Sequence, residues 1–341
     1  MYTPLHSVPL FLSPRLRNVT LYTYPNLDEV LNGTIATLEQ AISFLPSSLE
    51  QLSVLYGRGK EEPLQNTISS LVLRYGSSLR SFEACVPLSE AATLHLMQLP
   101  NLSHWSTSQG PPKIAPASTF PSLEKICLNS PEALPWIHFL ASHEQSASRK
   151  NTPSATQPTN VRDRLKCLEY TEDIIVDSRL LPSIAKFRNL VILCTHTDCF
   201  PREDCIFHLV DDDVESLATT LPHLKTLQLG FPCHSKTCKT TITSLMSISV
   251  NCSDLKDLEI HFDTKTIVGD MQRLLDGGTG REKPKCKLQS LTVGKLALEL
   301  RLEDVETVAR GFRFIFPSLR IFTSSPLGSD LGSWQQLQLK L

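Results

Sequence analysis

The chain has 341 residues, of which 41% are hydrophobic and 20% are charged, and its net charge is −2. This composition is ordinary for a folded protein and carries no basic excess, so nucleic acid is not an expected partner. No window of roughly eighteen consecutive apolar residues occurs and the N-terminus lacks a signal-peptide pattern, so we expect no membrane contact and a cytoplasmic or nuclear protein.

A short repeat organises the chain. It reads Leu-x-x-apolar-x-apolar, often after a proline or a small residue, and recurs at intervals of roughly 20–40 residues. Its last two apolar positions are two residues apart and therefore lie on one face of a short strand. Eleven copies occur, with their first leucines at Leu16, Leu49, Leu79, Leu102, Leu123, Leu165, Leu190, Leu224, Leu255, Leu288 and Leu319.

Helical spacing follows several of these copies. Apolar residues at 214, 217, 218 and 221 obey the i, i+3, i+4, i+7 rule, as do those at 305, 308, 309 and 312. The first of these helices begins at an acidic run, where Asp212 and Glu215 resemble a capping box and negative charge favours a helix N-terminus. Proline ends a helix before the next strand at Pro46, Pro100, Pro121, Pro222 and Pro317.

The alternation of strand, turn, helix and turn predicts an α/β fold, a leucine-rich-repeat solenoid. Because one repeat cannot bury its own apolar face, neighbouring repeats must stack, with parallel strands on the concave face of a horseshoe and helices on the convex face. Residues 1–341 are predicted to form a single domain of about eleven irregular repeats. Residues 142–164 hold almost no large apolar side chains, which predicts a disordered insertion loop there.

The run from Phe207 to Thr264, FHLVDDDVESLATTLPHLKTLQLGFPCHSKTCKTTITSLMSISVNCSDLKDLEIHFDT, resembles the repeat region of fungal F-box-type leucine-rich-repeat proteins. The resemblance implies the substrate-recognition part of a cullin-based ubiquitin ligase, in which an N-terminal F-box binds the adaptor and the repeats hold the substrate. Here the first repeat begins at Leu16, so neither an F-box nor cullin-adaptor binding is expected within these residues. The alternative is a structural or regulatory repeat scaffold without ubiquitin chemistry.

Motifs for catalysis are absent from the sequence, which contains no GxSxG, HExxH or CxxC. We therefore expect no enzyme and no cofactor. Cys199 and Cys205 lie one repeat before Cys233 and Cys238, and stacking would bring the two loops together, but their spacings fit no familiar zinc site. No metal site is predicted, and the ten cysteines are expected to be reduced thiols that are buried or idle.

Partner binding is predicted on the concave face, where the strand residues that alternate with the core leucines do not pack in the core. Three of these residues, Glu169, Asp257 and Glu259, are acidic, and they favour a protein partner that offers a basic segment. The predicted partner-binding residues, all expected to have solvent-facing side chains, are Glu169, His196, Gln228, Asp257, Glu259, His261 and Thr292.

Overall fold

The computed structural model shows an α/β protein whose chain forms two compact units, Met1–Leu165 and Lys166–Leu341. The structure describes residues 15–23, 45–46, 48–56, 62–75, 77–113, 119–129, 133–142, 160–171, 179–196, 209–229, 239–277, 284–293, 302–324 and 337–341.

The described residues of unit 1 form five short strands that pair in chain order, and every pair is parallel. The strands are β1 Asn18–Thr23, β2 Gln51–Tyr56, β3 Ser81–Ala84, β4 His104–Thr107 and β5 Lys125–Asn129. The helices described between and after them are α1 Glu62–Arg74, α2 Glu90–Gln98, α3 Ala133–Ser142 and α4 Val161–Arg164.

Unit 2 follows the same plan: its described residues form six parallel strands, again paired in chain order. The strands are β6 Cys167–Thr171, β7 Ile192–His196, β8 Thr226–Leu229, β9 Asp257–Ile260, β10 Ser290–Val293 and β11 Ile321–Ser324. The helices described in this unit are α5 Leu181–Ile184, α6 Asp211–Thr220, α7 Ile242–Asn251, α8 Ile267–Asp276 and α9 Leu302–Ile315.

Each copy of the sequence repeat corresponds to one strand, which begins two residues after the first leucine of the copy. The register places Leu227, Leu258 and Leu291 side by side on neighbouring strands, and none of them is more than 2% exposed. The predicted short parallel strands with one buried face are therefore confirmed in each unit. Each strand forms its backbone hydrogen bonds with the neighbouring strand. The helices and the adjacent core residues cover its apolar side chains.

Both predicted helices are present, at 211–220 and 302–315, and their spaced apolar residues are buried. The predicted capping box of Asp212 and Glu215 is wrong. Instead, the backbone N–H of Val210 donates to the Asp213 carboxylate at 3.0 Å, while Asp212 and Glu215 are exposed. In a capping box, the carboxylate belongs to the residue three positions after the capping residue. Because the helix begins at residue 211, the capping residue is Val210 and the carboxylate is that of Asp213.

Asp211 connects two successive repeats. Its carboxylate accepts hydrogen bonds from the Thr241 backbone N–H at 2.7 Å, from the Thr241 hydroxyl at 2.6 Å and from the Ser244 hydroxyl. Thr241 is the N-terminal cap of α7. Asp211, at the start of α6, therefore holds the capping residue of the next helix in place.

Aromatic residues replace leucine in part of the core of unit 1. Trp105 of β4 packs edge to face on Trp136 of α3, with ring centroids 4.9 Å apart, and lies 5.0 Å from Phe120. Phe120 has a positive φ of 52°, a conformation that is strained for a bulky residue. Its carbonyl accepts a hydrogen bond from Arg164 at 2.7 Å, which fixes the end of α4 to this cluster.

The predicted disordered loop at 142–164 needs a corrected boundary. Ser142 ends α3, and Val161–Arg164 forms α4, capped by the Asn160 side chain, with Val161 only 1% exposed. Val161 is an apolar residue inside a polar stretch, and its burial holds the end of that stretch against the core. Residues 143–159 lie outside the described residues.

Two buried thiols of unit 2 donate hydrogen bonds to backbone carbonyls of the preceding repeat. The Cys252 Sγ donates to the carbonyls of Ala218 and Leu221 at 3.7 and 3.8 Å, and the Cys286 Sγ donates to Leu255 at 3.5 Å. Burial raises the pKa of Cys252 to about 12 and that of Cys286 to about 11. These thiols are packing residues that satisfy carbonyls of the preceding repeat.

We predict that truncating the central core row destabilises the protein. Leu227→Ala or Leu258→Ala should lower the free energy of unfolding by about 2–5 kcal/mol, because each removes buried methyl groups and leaves a cavity. Urea denaturation measures the loss. Asp257→Ala, next to Leu258 but exposed, is the matched control and should change stability by less than about 0.5 kcal/mol. Equal effects of Leu258→Ala and Asp257→Ala would contradict the described burial.

We also predict that Cys252 and Cys286 are inert in the folded chain. At mildly alkaline pH almost none of either buried thiol is ionised, and the thiolate is the reactive species. Brief treatment with iodoacetamide followed by peptide mass spectrometry should leave both unlabelled, whereas the same treatment in urea should label both. Rapid labelling of either thiol in the native protein would show that this thiol is accessible to solvent.

Candidate functional site

The open face of unit 2 is defined as the strand residues that alternate with the core leucines and their apolar equivalents. Its described members are Cys167, Glu169, Thr171, Ile192, Cys194, Thr226, Gln228, Asp257, Glu259, Ser290, Thr292, Ile321 and Thr323, of which Cys167 and Cys194 are buried. Three of these residues are carboxylates and none is lysine or arginine. The electrostatic character of this face is therefore negative.

Register brings most of the predicted partner-binding residues into one row. Gln228 is the direct neighbour of Glu259, and Glu259 is the direct neighbour of Thr292, on strands about 4.8 Å apart. Gln228, Glu259 and Thr292 are all half-buried. Asp257 lies on the next row, between Thr226 and Ser290, and is exposed.

Glu259 is the electrostatically distinctive member of the row. Burial raises the pKa of its carboxyl above the usual range, because a charged carboxylate loses part of its hydration there. Thr292 is held in place by a hydrogen bond between its hydroxyl and that of Thr323, at 2.7 Å. The partly dehydrated carboxylate thus lies in a row of neutral polar groups that can donate or accept hydrogen bonds.

Glu169 lies at the first strand of the unit and is half-buried, as part of the same face. The Cys167 thiol, two residues earlier on that face, donates to the Glu169 carboxylate at 3.3 Å. His196 belongs to β7, and its side chain falls outside the described part of the chain.

The expectation that His261 faces solvent is wrong, since this residue is only 5% exposed. Strand β9 ends at Ile260, and the chain then turns to contact the preceding repeat. The Thr240 hydroxyl donates to the His261 carbonyl at 2.5 Å, and the Thr240 carbonyl accepts from the Asp263 N–H at 2.7 Å. Strand alternation stops at this turn, and burial lowers the pKa of the imidazole, an effect that nearby Asp263 partly opposes.

Unit 1 carries a polar network on its own open face that sequence reasoning did not assemble. Ser53 donates to Glu83 at 2.6 Å. His104 lies between Ser81, at 3.3 Å from Nδ1, and the Cys127 thiol, at 3.8 Å from Nε2. The residues come from four consecutive strands, β2 to β5, so aligning the repeats by their leucines would have placed them in neighbouring rows.

Within the described ranges, no group of three or more His, Cys, Asp or Glu side chains is placed to hold a metal ion. Cys199, Cys205, Cys233 and Cys238 lie outside those ranges. Of the helices formed by described residues, none combines the length and the hydropathy that crossing a membrane requires.

Comparison with known proteins finds no match, either to a family model or to a curated protein. The resemblance of residues 207–264 to F-box-type repeats therefore stays a prediction from the residues themselves.

We predict that Glu259 makes stability depend on pH. The carboxyl has its ordinary pKa in the unfolded chain and a higher pKa in the folded chain. The stability that Glu259 contributes is therefore complete below the unfolded pKa and is lost as the pH rises through the folded pKa. Because glutamine cannot ionise, the stability of Glu259→Gln relative to the wild type should rise from about pH 4 to about pH 7. Urea titrations at both pH values measure this gain.

The matched control is Asp257→Asn, which removes an exposed carboxylate from the same strand. Its free energy of unfolding should stay within about 0.5 kcal/mol of that of the wild type, because substitutions of exposed residues seldom change stability by more. A stability difference between Glu259→Gln and the wild type that stays the same at both pH values would show that Glu259 is fully hydrated in the folded chain.

Proposed function

We propose that the chain is a protein-interaction module, a leucine-rich-repeat solenoid whose open face in unit 2 binds a basic segment of a partner protein. The observation that carries this proposal is the half-buried Glu259, in row with Gln228 and Thr292 and beside exposed Asp257, on a face without lysine or arginine. Repeat proteins commonly bind partners through the side chains that successive strands present in register.

A basic partner follows from the electrostatics of this face. Glu259 loses hydration on folding, and an approaching lysine or arginine would supply a compensating charge at that position. Glu169 and Asp257 add negative potential that attracts cations over several ångströms. The neutral row members contribute hydrogen bonds, which fix the register of the bound segment and favour one sequence over another.

The biological role that we propose is substrate recognition for an F-box-type ubiquitin ligase. Support for this role comes from the resemblance of residues 207–264 and from the irregular repeat of Leu-x-x-apolar-x-apolar units. A non-ligase scaffold is the second candidate, because the open face would bind a partner equally well without ubiquitin chemistry.

Charge removal on the open face tests the binding proposal. Fluorescence anisotropy of labelled octalysine measures affinity for a simple basic segment. Asp257→Asn combined with Glu259→Gln should weaken binding by roughly three- to thirtyfold, because two charge pairs are lost at up to about 1 kcal/mol each. The loss should be greater at low salt, where screening is weak.

The matched control for this test is Asp212→Asn combined with Glu215→Gln. Both residues are exposed on α6, so this variant has the same change in net charge away from the open face. Its affinity for octalysine should stay close to that of the wild type. Equal weakening by the two double variants would overturn the open face as the binding site and leave only non-specific attraction.

A second experiment tests the ligase role directly. The purified chain is mixed with a purified cullin adaptor and analysed by size-exclusion chromatography. Co-elution would favour the ligase receptor and would overturn the expectation that residues 1–341 contain no adaptor-binding part. Separate elution is expected for a substrate-binding repeat region and for a scaffold alike.

A further inference from the structure

A second charged surface in unit 2 lies at the edge of the sheet where the strands begin. We name it the basic edge and define it by its exposed cations: Lys166, Lys186, Arg188, Lys225, Lys256, Lys285, Lys287 and Arg320. The described residues immediately before strands β6 to β11 are Lys166 and the ranges 186–191, 222–225, 252–256, 284–289 and 317–320. They contain these eight cations and a single acidic residue, Asp254, which pairs with Lys287 at 3.7 Å.

The topology creates this surface. All strands of a parallel sheet begin at the same edge, so the residue that precedes each strand lies beside its counterparts in neighbouring repeats. The Lys225 N–H donates to the Val191 carbonyl at 2.8 Å, and the Lys256 N–H donates to the Lys225 carbonyl at 2.8 Å. In the same way, the Gln289 N–H donates to the Lys256 carbonyl and the Arg320 N–H donates to the Gln289 carbonyl. At the other end of the row, the Val191 N–H donates to the Lys166 carbonyl. Four cations thus occupy one hydrogen-bonded row of six positions.

Composition does not account for this segregation. The whole chain has 33 lysine and arginine residues against 35 acidic residues. Surfaces that serve only solubility mix the two signs, because adjacent like charges repel one another. Lys225 and Lys256 are direct neighbours in the row and both are exposed. A partner with negative charge would relieve this repulsion on binding.

We propose that the basic edge binds an acidic, Asp- and Glu-rich segment of a partner protein. Lysine accounts for six of the eight cations, and its compact charge pairs with the flexible carboxylates of such a segment without requiring a fixed bidentate geometry. Single-stranded nucleic acid needs aromatic side chains on which bases stack. The residues described along this edge include no exposed phenylalanine, tyrosine or tryptophan, since Phe187 is buried.

This site is independent of the open face and has the opposite charge preference. Lys225 and Lys256 immediately precede strands β8 and β9, whereas Gln228 and Glu259 lie within those strands. A partner could therefore present a basic segment to the strands and an acidic segment to the edge from which the strands start. Either site can fail its test without affecting the other.

Labelled octaglutamate tests the proposal by fluorescence anisotropy. Lys225→Gln combined with Lys256→Gln should weaken its binding by roughly three- to thirtyfold and should reduce the dependence of affinity on salt. The matched control is Lys239→Gln combined with Lys265→Gln, which removes two exposed lysines elsewhere in unit 2. The control should bind octaglutamate within about twofold of the wild type. Thermal melting should show the same melting temperature for both variants.

Three results would overturn the proposal. The first is wild-type affinity for octaglutamate in the Lys225→Gln, Lys256→Gln variant. The second is equal weakening by the control pair, which would indicate attraction to net charge alone. The third is tighter binding of octathymidylate than of octaglutamate, lost in the edge variant, which would assign the edge to nucleic acid. The variant Asp257→Asn, Glu259→Gln should bind octaglutamate at least as well as the wild type, which separates this test from that of the open face.

Discussion

Parallel strands of neighbouring repeats hydrogen-bond in register, and almost every other feature of the chain depends on that pairing. A strand such as Thr226–Leu229 is too short to be stable alone, because it has neither a hydrogen-bond partner nor a covered apolar face. The adjacent repeat supplies both, since Leu227 lies beside Leu258 in the same buried row. Core residues, helix ends and surface charges are all positioned by this repeat-to-repeat contact.

The same dependence extends to the polar groups that a helix leaves unsatisfied at its ends. Asp211 begins α6 but accepts hydrogen bonds from the first residues of α7. Cys252, after α7, donates to carbonyls at the end of α6. The ends of α6 and α7 are thus completed by contacts between neighbouring repeats, which couples the stability of one repeat to that of the next.

Stacking also sorts charge into surfaces. Residues separated by about thirty positions in the chain, such as Lys225 and Lys256, become direct neighbours, and so do Gln228 and Glu259. The strands carry the carboxylates and the edge where they begin carries the cations. Two surfaces of opposite sign therefore adjoin within unit 2, and a protein partner with both kinds of charged segment would be oriented as well as attracted.

The sequence by itself determined the eleven strands, their parallel direction and the helices at 211–220 and 302–315, because burial of apolar side chains repeats with a short, local period. The rows of the open face follow from the same alignment of leucines. Only the tertiary structure decided that His261 is buried, since the turn that removes it from the strand depends on Thr240 in the preceding repeat. The burial of Val161 and the capping role of Asp213 were likewise settled by packing. Apolar periodicity is a property of neighbouring residues in the chain, whereas the partner of a polar group is chosen by contacts between distant ones.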